Sequence, residues 1–363
     1  MKKLSIYVHI PFCEKRCYYC DFASTVKDND IVERYVDAVI REIKTFNHSD
    51  MYVVDSIFFG GGTPTCIDSR HIERIVNEIY KKFNVDLVEF TIEGNPNSYT
   101  LEKVKHYKSF GVNRLSVGVQ SLNDKVLKAI GRLHDERVAK SCIDLLVNNC
   151  ENVSVDMMIG LPFQTKEILQ NDLDYVLKTG ISHLSCYSLI LEEGTLLYNL
   201  VNNEKLILPS EDETVDMYDI AFNMLTNNGL NRYEISNFGK PCYHNQGYWN
   251  MKEYQGFGLS SHSLVSNVRY YNTSDMKEYL SGKCYIIEES LSRYDMAKEY
   301  VMLALRCDYG VSIQKLREYG EDILTSMLNI AKSQDKYLCI DKDRFYIDKK
   351  YTYISNSIME KFL

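Results

Sequence analysis

Between residues 4 and 189 six short apolar runs, rich in β-branched and aromatic residues, are separated by longer segments with helical apolar spacing. The runs are Leu4–His9, Val53–Phe59, Leu87–Glu93, Arg114–Val119, Asn152–Met158 and His183–Leu189. The helical segments are Ile31–Phe46, His71–Phe83, Leu101–Phe110, Glu136–Asn149 and Lys166–Lys178. Parallel strands need crossover connections, and helices supply them, so this rhythm predicts an α/β fold with a parallel sheet covered by helices. Periodicity leaves a doubly wound open sheet and a partial (β/α)6 barrel both open. Polar residues recur at the ends of the runs: Gly60-Gly61-Gly62-Thr63 after the second, Glu93 closing the third, Gln120 after the fourth, Asp156 late in the fifth. Strand C-terminal ends are where a barrel collects its chemistry.

The first run leads into Cys13, Cys17 and Cys20, spaced C-x3-C-x2-C. Soft thiolates suit iron, and three of them on one short loop can hold three corners of a cubane iron–sulfur cluster. The fourth iron is then open to a small molecule. Zinc is the alternative, but structural zinc wants four ligands, and His9 is the remaining candidate for the fourth. Eleven cysteines would suggest disulfides in a secreted chain. No signal-peptide pattern precedes them, and no apolar run approaches the roughly twenty residues of a membrane span, so a reducing cytoplasm is expected. Cys66, Cys142, Cys150, Cys186, Cys284, Cys307 and Cys339 then read as small buried hydrophobes. A net charge of −8 argues against a nucleic-acid-binding surface.

The cysteine run, from Tyr7 to Cys20, resembles that of the radical S-adenosylmethionine (radical SAM) family. The resemblance implies a partial (β/α)6 barrel, a 4Fe-4S cluster on Cys13, Cys17 and Cys20, and S-adenosylmethionine on the open iron. It also implies an S-adenosylmethionine site made of Tyr7, Tyr19, Gly61, Gly62, Thr63, Glu93, Gln120, Arg132 and Asp156. By that likeness Tyr19 lies against the adenine, the glycine run meets the methionyl amino group, Arg132 pairs with the carboxylate, and Asp156 contacts the ribose or a neighbouring ligand. Each residue has a plainer reading alone: a glycine run is usually a tight turn, and an arginine near a helix end is usually solvated.

Taken in order, these residues match the porphyrin-related branch of the family, which holds oxygen-independent coproporphyrinogen III dehydrogenases and haem chaperones. Phe22 stands where the dehydrogenases carry a further cysteine, and only a dozen residues precede Cys13, fewer than in the dehydrogenases. His244-Asn245-Gln246-Gly247-Tyr248-Trp249 resembles the HNxxYW signature of the chaperones and contains the chain's single tryptophan. Imidazole can ligate haem iron and aromatic rings can flank the macrocycle, so His244, Asn245, Tyr248 and Trp249 are candidate haem contacts, with Cys242 a rival axial ligand. The loop Lys240-Pro241-Cys242-Tyr243 is shorter than usual for such chains, and Gly256–Ser263 lacks some of their small residues.

The function this implies is haem binding and delivery to haem-accepting, respiratory proteins, with reduced flavodoxin or ferredoxin as electron donor, no nucleic acid, and an assembly that can include a homodimer. The alternatives are oxidative decarboxylation of coproporphyrinogen III and a radical reaction on haem itself. Three regions are expected: a radical SAM core over 1–230, a haem-contacting extension over 231–290, and a C-terminal module over 291–363. Ser210–Asn228 reads as a helix with a capping box from Ser210 and Glu213. The C-terminal module shows helical patterns at Tyr294–Arg306, Val311–Tyr319 and Asp322–Ser333. Short strands at Leu338–Ile340, Phe345–Ile347 and Tyr351–Ile354 follow, before a last helix. Together they resemble a winged-helix module.

Overall fold

A computed structural model describes residues 1–283 and 285–363, so Cys284 lies outside the described residues. Six parallel strands, β1 (Lys2–Ile10), β2 (Tyr52–Gly61), β3 (Asn84–Gly94), β4 (Arg114–Gln120), β5 (Val153–Ile159) and β6 (His183–Ser188), lie side by side in chain order. The crossovers are α1 (Asn29–Thr45), α2 (Ser69–Lys82), α3 (Leu101–Ser109), α4 (Glu136–Val147) and α5 (Lys166–Lys178). After β6 comes α6 (Glu211–Asn227), whose capping box forms as expected: Glu213 N–H donates to Ser210 Oγ while the Glu213 carboxylate accepts from Ser210 N–H. Leu4, Ile6, Val8 and Ile10 of β1 sit in the core that the sheet shares with its helices. The alternate residues Ser5, Tyr7 and His9 take the opposite face, because successive side chains on a strand point to opposite sides. The partial barrel therefore has an apolar outer face and a polar lumen.

The sheet continues beyond both ends of this parallel set. Next to β6 lie the short antiparallel strands β7 (Arg232–Glu234) and β8 (Asn237–Gly239). Then α7 (Tyr243–Trp249) crosses beneath the lumen, and β9 (Tyr254–Phe257) runs parallel to β1 on its other side. Three further antiparallel strands, β10 (His262–Val265), β11 (Val268–Asn272) and β12 (Tyr285–Ser290), complete a twelve-stranded sheet. Residues 231–290 thus extend both edges of the barrel sheet.

The last seventy residues have a separate core. Tyr300, Val301, Leu316, Met327, Phe345 and Phe362 pack together from α8 (Arg293–Ala304), α9 (Ile313–Glu318), α10 (Glu321–Ser333) and the chain end. A small three-stranded sheet joins Val311–Ser312, Arg344–Ile347 and Leu338–Ile340. The strand expected at Tyr351–Ile354 is instead part of a 3-10 helix, Lys349–Ile354. Asp348 causes the difference: its carboxylate accepts from Lys350 N–H and starts a helical turn, leaving the third sheet position to Val311–Ser312. No helix among the described residues is long and apolar enough to cross a membrane.

Candidate functional site

The cysteine loop is built on two glycine turns. Beyond β1, Gly62 N–H donates to Ile10 O (2.9 Å) and Thr63 N–H to Phe12 O (2.8 Å), binding the glycine run to the segment that carries Cys13. Gly61 has φ +108°, and a Cβ there would sit 2.5 Å from the His9 ring. A Cβ on Gly62 would lie 2.8 Å from Phe12 O and 3.1 Å from Cys13 Sγ, so only glycine allows this approach. On the far side Tyr18 N–H donates to Ile130 O (3.0 Å), docking the loop beside Arg132.

A chain of hydrogen bonds links two of the cysteines across the barrel mouth. Cys13 Sγ lies 3.4 Å from Thr63 Oγ1, which accepts from Asn95 Nδ2 (2.9 Å). Asn95 Oδ1 accepts from Arg132 Nη2 (2.8 Å), and Arg132 Nη1 reaches Cys17 Sγ (3.4 Å). Asn95 carries a central link in this chain and was not among the residues expected from sequence. Arg132 also donates to Gly118 O, while its buried Nε has no hydrogen-bond partner among the described residues. That atom is a donor awaiting an acceptor.

Cys13, Cys17, Cys20, Tyr19, Gly61, Gly62, Thr63, Glu93, Gln120, Arg132 and Asp156 all line one cavity of about 350 Å³. Burial pushes the Glu93 carboxyl up to about 8, the nearby Asp156 pushes it the same way, and Arg114 with the Gly61 amide opposes them. Asp156 is likewise raised by burial, against hydrogen bonds from serines and the charge of Arg114. Two carboxyls that resist ionisation beside an orphaned guanidinium N–H make a site that would favour a ligand carrying both a cation and a carboxylate. Gln120 ends β4 at φ +71°, a strained conformation of the kind found at ligand-binding positions.

Burial raises the thiols of Cys13 and Cys20, and the charges of neighbouring cysteines add to the effect, so the three sulfurs sit within electrostatic reach of one another. Among the described residues no group of His, Cys, Asp or Glu converges tightly enough to hold a single metal ion. A multi-iron cluster spaces its thiolates more widely than one ion does. The three sulfurs around one cavity, the glycine cradle under Cys13 and the unpartnered Arg132 Nε fit a cluster with a bound amino acid-like ligand.

Tyr7 lines a different cavity from the other expected S-adenosylmethionine contacts, although Glu93 lies near enough to act on its hydroxyl. Tyr7 stacks on Phe58 at 6.2 Å, its hydroxyl is 3.1 Å from His9 Nδ1, and it lines a second, more open cavity of about 600 Å³. Phe22 borders both cavities. The second cavity is walled by Tyr7, Phe22, Tyr248, Trp249 and Tyr254 with Met251, Met302 and Leu303, and two of its buried polar atoms, Trp249 Nε1 and Ser260 Oγ, have no partner.

The His244 segment divides between these places. Asn245 lines the cluster cavity, whereas Tyr248 and Trp249 line the second one. His244 is buried beneath, with Nδ1 3.0 Å from Ser56 Oγ and Nε2 2.8 Å from the Tyr248 hydroxyl. Burial, reinforced by Lys252 and Arg114, lowers its pKa to about 3, so its ring is neutral and both nitrogens are engaged. The Cys242 thiol donates to Glu89 Oε1 (3.2 Å) and is pushed up to about 12, chiefly by burial. Glu89 also accepts from the N–H groups of Tyr243 and His244 (3.0 Å each), capping α7. Beside it Arg114 spans the lumen floor, with long contacts to Thr91 Oγ1 and His183 Nδ1 (3.5 Å each) and an unpartnered Nε. Neither Glu89 nor Arg114 was singled out in the sequence. Glu89, a charged residue inside the run Leu87–Glu93, was an available signal, whereas Arg114 only opens its run.

A family model described as the radical SAM superfamily matches residues 7–176. A Lactococcus lactis protein named heme chaperone HemW is 35% identical over 100% of this chain and 98% of its own length. The heme chaperone HemW of Bacillus subtilis is 35% identical over 88% of each chain. Among solved structures, coproporphyrinogen III oxidase (HemN) from Escherichia coli, described as a radical SAM enzyme, superposes with a TM-score of 0.85 at 23% identity, covering 99% of this chain and 90% of that one.

Proposed function

The chain belongs to the HemW family of radical SAM proteins, and from that membership we propose that it binds haem beside its cluster site and passes it to haem-dependent proteins. Radical SAM membership implies a 4Fe-4S cluster and S-adenosylmethionine. When bound, the cluster supplies one electron to the sulfonium. In this reading Cys13, Cys17 and Cys20 hold the cluster, and the unpartnered Arg132 Nε meets the ligand carboxylate. Glu93 and the backbone of Gly61 and Gly62 receive the ammonium, whose positive charge lowers the raised Glu93 pKa. Gln120 and Asp156 face the ribose, and Tyr19 the adenine.

The observation that carries the haem reading is the second cavity. Its aromatic and thioether walls suit a flat apolar ring, and the orphaned donors Trp249 Nε1 and Ser260 Oγ suit the ring's carboxylate edge. Tyr248 and Trp249 would touch the macrocycle directly and Asn245 would face the junction with the cluster site, while His244 positions Tyr248 through its Nε2 bond. Phe22 lines both cavities, which supports a haem site adjoining the cluster site. Lys15 and Arg16 at the cluster mouth favour an acidic one-electron donor such as flavodoxin or ferredoxin. Respiratory haem proteins are the proposed recipients.

The test is an anaerobic assay of the reconstituted protein with coproporphyrinogen III, S-adenosylmethionine and a reductant, followed by haem titration of the same sample. Stoichiometric haem binding without porphyrin product supports the chaperone reading. Decarboxylation over many turnovers overturns it.

A further inference from the structure

We infer that His262 is the side chain that ligates the iron of a haem held in the second cavity, an assignment that rests on the haem-binding reading above. The cavity floor is one continuous sheet face. Ser5 of β1 pairs with Tyr254 of β9, Tyr254 with Leu264 of β10, and His262, two residues from Leu264, with Tyr271 of β11. Paired residues share a face and side chains alternate with period two, so Tyr7, Tyr254, Leu264 and His262 all face the lumen side. That face leaves the barrel at β1 and runs out beneath the opening toward α8.

Elimination among the histidines singles out one ring. His9, which lines the same cavity, has Nδ1 against the Tyr7 hydroxyl (3.1 Å) and Nε2 against Ala23 O (2.8 Å). His183, on the floor of the cluster cavity, has Nδ1 against Ser154 Oγ and Nε2 against the Tyr233 hydroxyl, both at 2.8 Å. His244 is held by Ser56 and Tyr248. His48, His71, His106 and His134 line neither of these two cavities. His262 alone lines the second cavity with neither nitrogen hydrogen-bonded among the described residues, and it is exposed. Its ring lies 5.4 Å from that of Tyr271 at 27°, a stacking contact that orients the imidazole while leaving its nitrogens clear.

Two of the aromatic hydroxyls in the cavity are already bonded. The Tyr7 and Tyr248 hydroxyls bond to His9 and His244. An imidazole over an aromatic slot is an arrangement that can hold haem iron, and a volume of about 600 Å³ lies within the range of cofactor sites (roughly 300–1,000 Å³). Trp249 Nε1 and Ser260 Oγ supply donors for a propionate without displacing any bond already made.

Ferric haem is titrated into the full-length protein, wild type and the variants His262→Ala and His244→Gln, with absorbance and electron paramagnetic resonance reporting iron ligation. Quenching of Trp249, the only tryptophan, reports occupancy of the cavity whatever ligates the iron. Wild type and His244→Gln should both show histidine ligation and Trp249 quenching. His262→Ala should keep the quenching but lose the histidine signature, which added imidazole restores. An unchanged signature in His262→Ala, or its loss in His244→Gln instead, overturns the assignment while leaving haem binding intact. Absence of quenching and of a spectral shift in wild type overturns the haem reading itself and this assignment with it.

Discussion

Glu89 should be the residue on which the placement of the His244–Trp249 segment depends. It is 4% exposed and accepts three hydrogen bonds, from the Cys242 thiol and from the N–H groups of Tyr243 and His244, beside the buried Arg114 guanidinium. Replacing it by alanine leaves the buried His244 amide and the partly buried Tyr243 amide unpaired, at about 1–3 kcal/mol each. It also removes one of the negative charges acting on the buried Arg114, but the two form no ion pair among the described residues and Asp156 acts on the same guanidinium, so this adds little. We therefore expect Glu89→Ala to lose about 4 kcal/mol, a large share of a typical domain's stability of ~5–15 kcal/mol. Glu89→Gln should lose about 2 kcal/mol, because its amide nitrogen must face one of the two backbone donors. Urea unfolding should be followed by far-ultraviolet circular dichroism and by Trp249 fluorescence. The fluorescence change should come first in both variants, since α7 is released before the barrel. A loss below about 1 kcal/mol in both variants, with coincident probes, would refute the reasoning.

The cluster, ligand and proton-linked groups give further tests. Replacing Cys13, Cys17 or Cys20 by alanine should abolish the visible absorbance of the reconstituted cluster while leaving the circular dichroism unchanged; an intact cluster in all three variants would sink the assignment. Arg132→Lys should weaken S-adenosylmethionine binding by about 10–100-fold in calorimetry, because a point-charge ammonium cannot reproduce the planar fork that spans Asn95, Gly118 and the ligand. Glu93 is raised from 4.5 to about 8, so in the ligand-free protein its contribution to stability is fully present below pH ~4.5 and is lost as pH rises through about 8. The full shift corresponds to about 5 kcal/mol, and because Glu93 is only partly buried by surface area, solvent screening leaves about 2 kcal/mol. Glu93→Gln should flatten that part of the stability–pH curve, and an unchanged slope would remove Glu93 from the account.

The strand and helix rhythm was legible because the parallel strands are buried on their outer face by helices and on their inner face by one another's polar side chains. Their composition and the capping residues therefore agree; Ser210 and Glu213 form the box their spacing predicts. Tyr351–Ile354 misled because its aromatic and β-branched residues suit a strand, while Asp348 begins a helical turn just ahead of them. The glycine run, Glu93 and Gln120 stood out because each ends a strand or follows one, whereas Tyr19 and Arg132 came only with the family resemblance. Asn95, Glu89 and Arg114 were not singled out, since their partners Arg132, Cys242 and His183 lie far from them in sequence and are brought close only by the fold. The His244 motif stood out in the sequence, but the use of its imidazole did not. Ser56 and Tyr248 engage both nitrogens, a geometry that no local pattern records.

Haem transfer observed through Trp249 tests the central claim most directly. Haem-loaded protein is mixed with an excess of a cytochrome b apoprotein, and Trp249 fluorescence is followed together with the recipient's absorbance. The account predicts quenching on loading and recovery on mixing, at the rate at which the recipient's haem spectrum appears. Quenching that never develops, or a recipient that stays empty while the protein retains its haem, would contradict it.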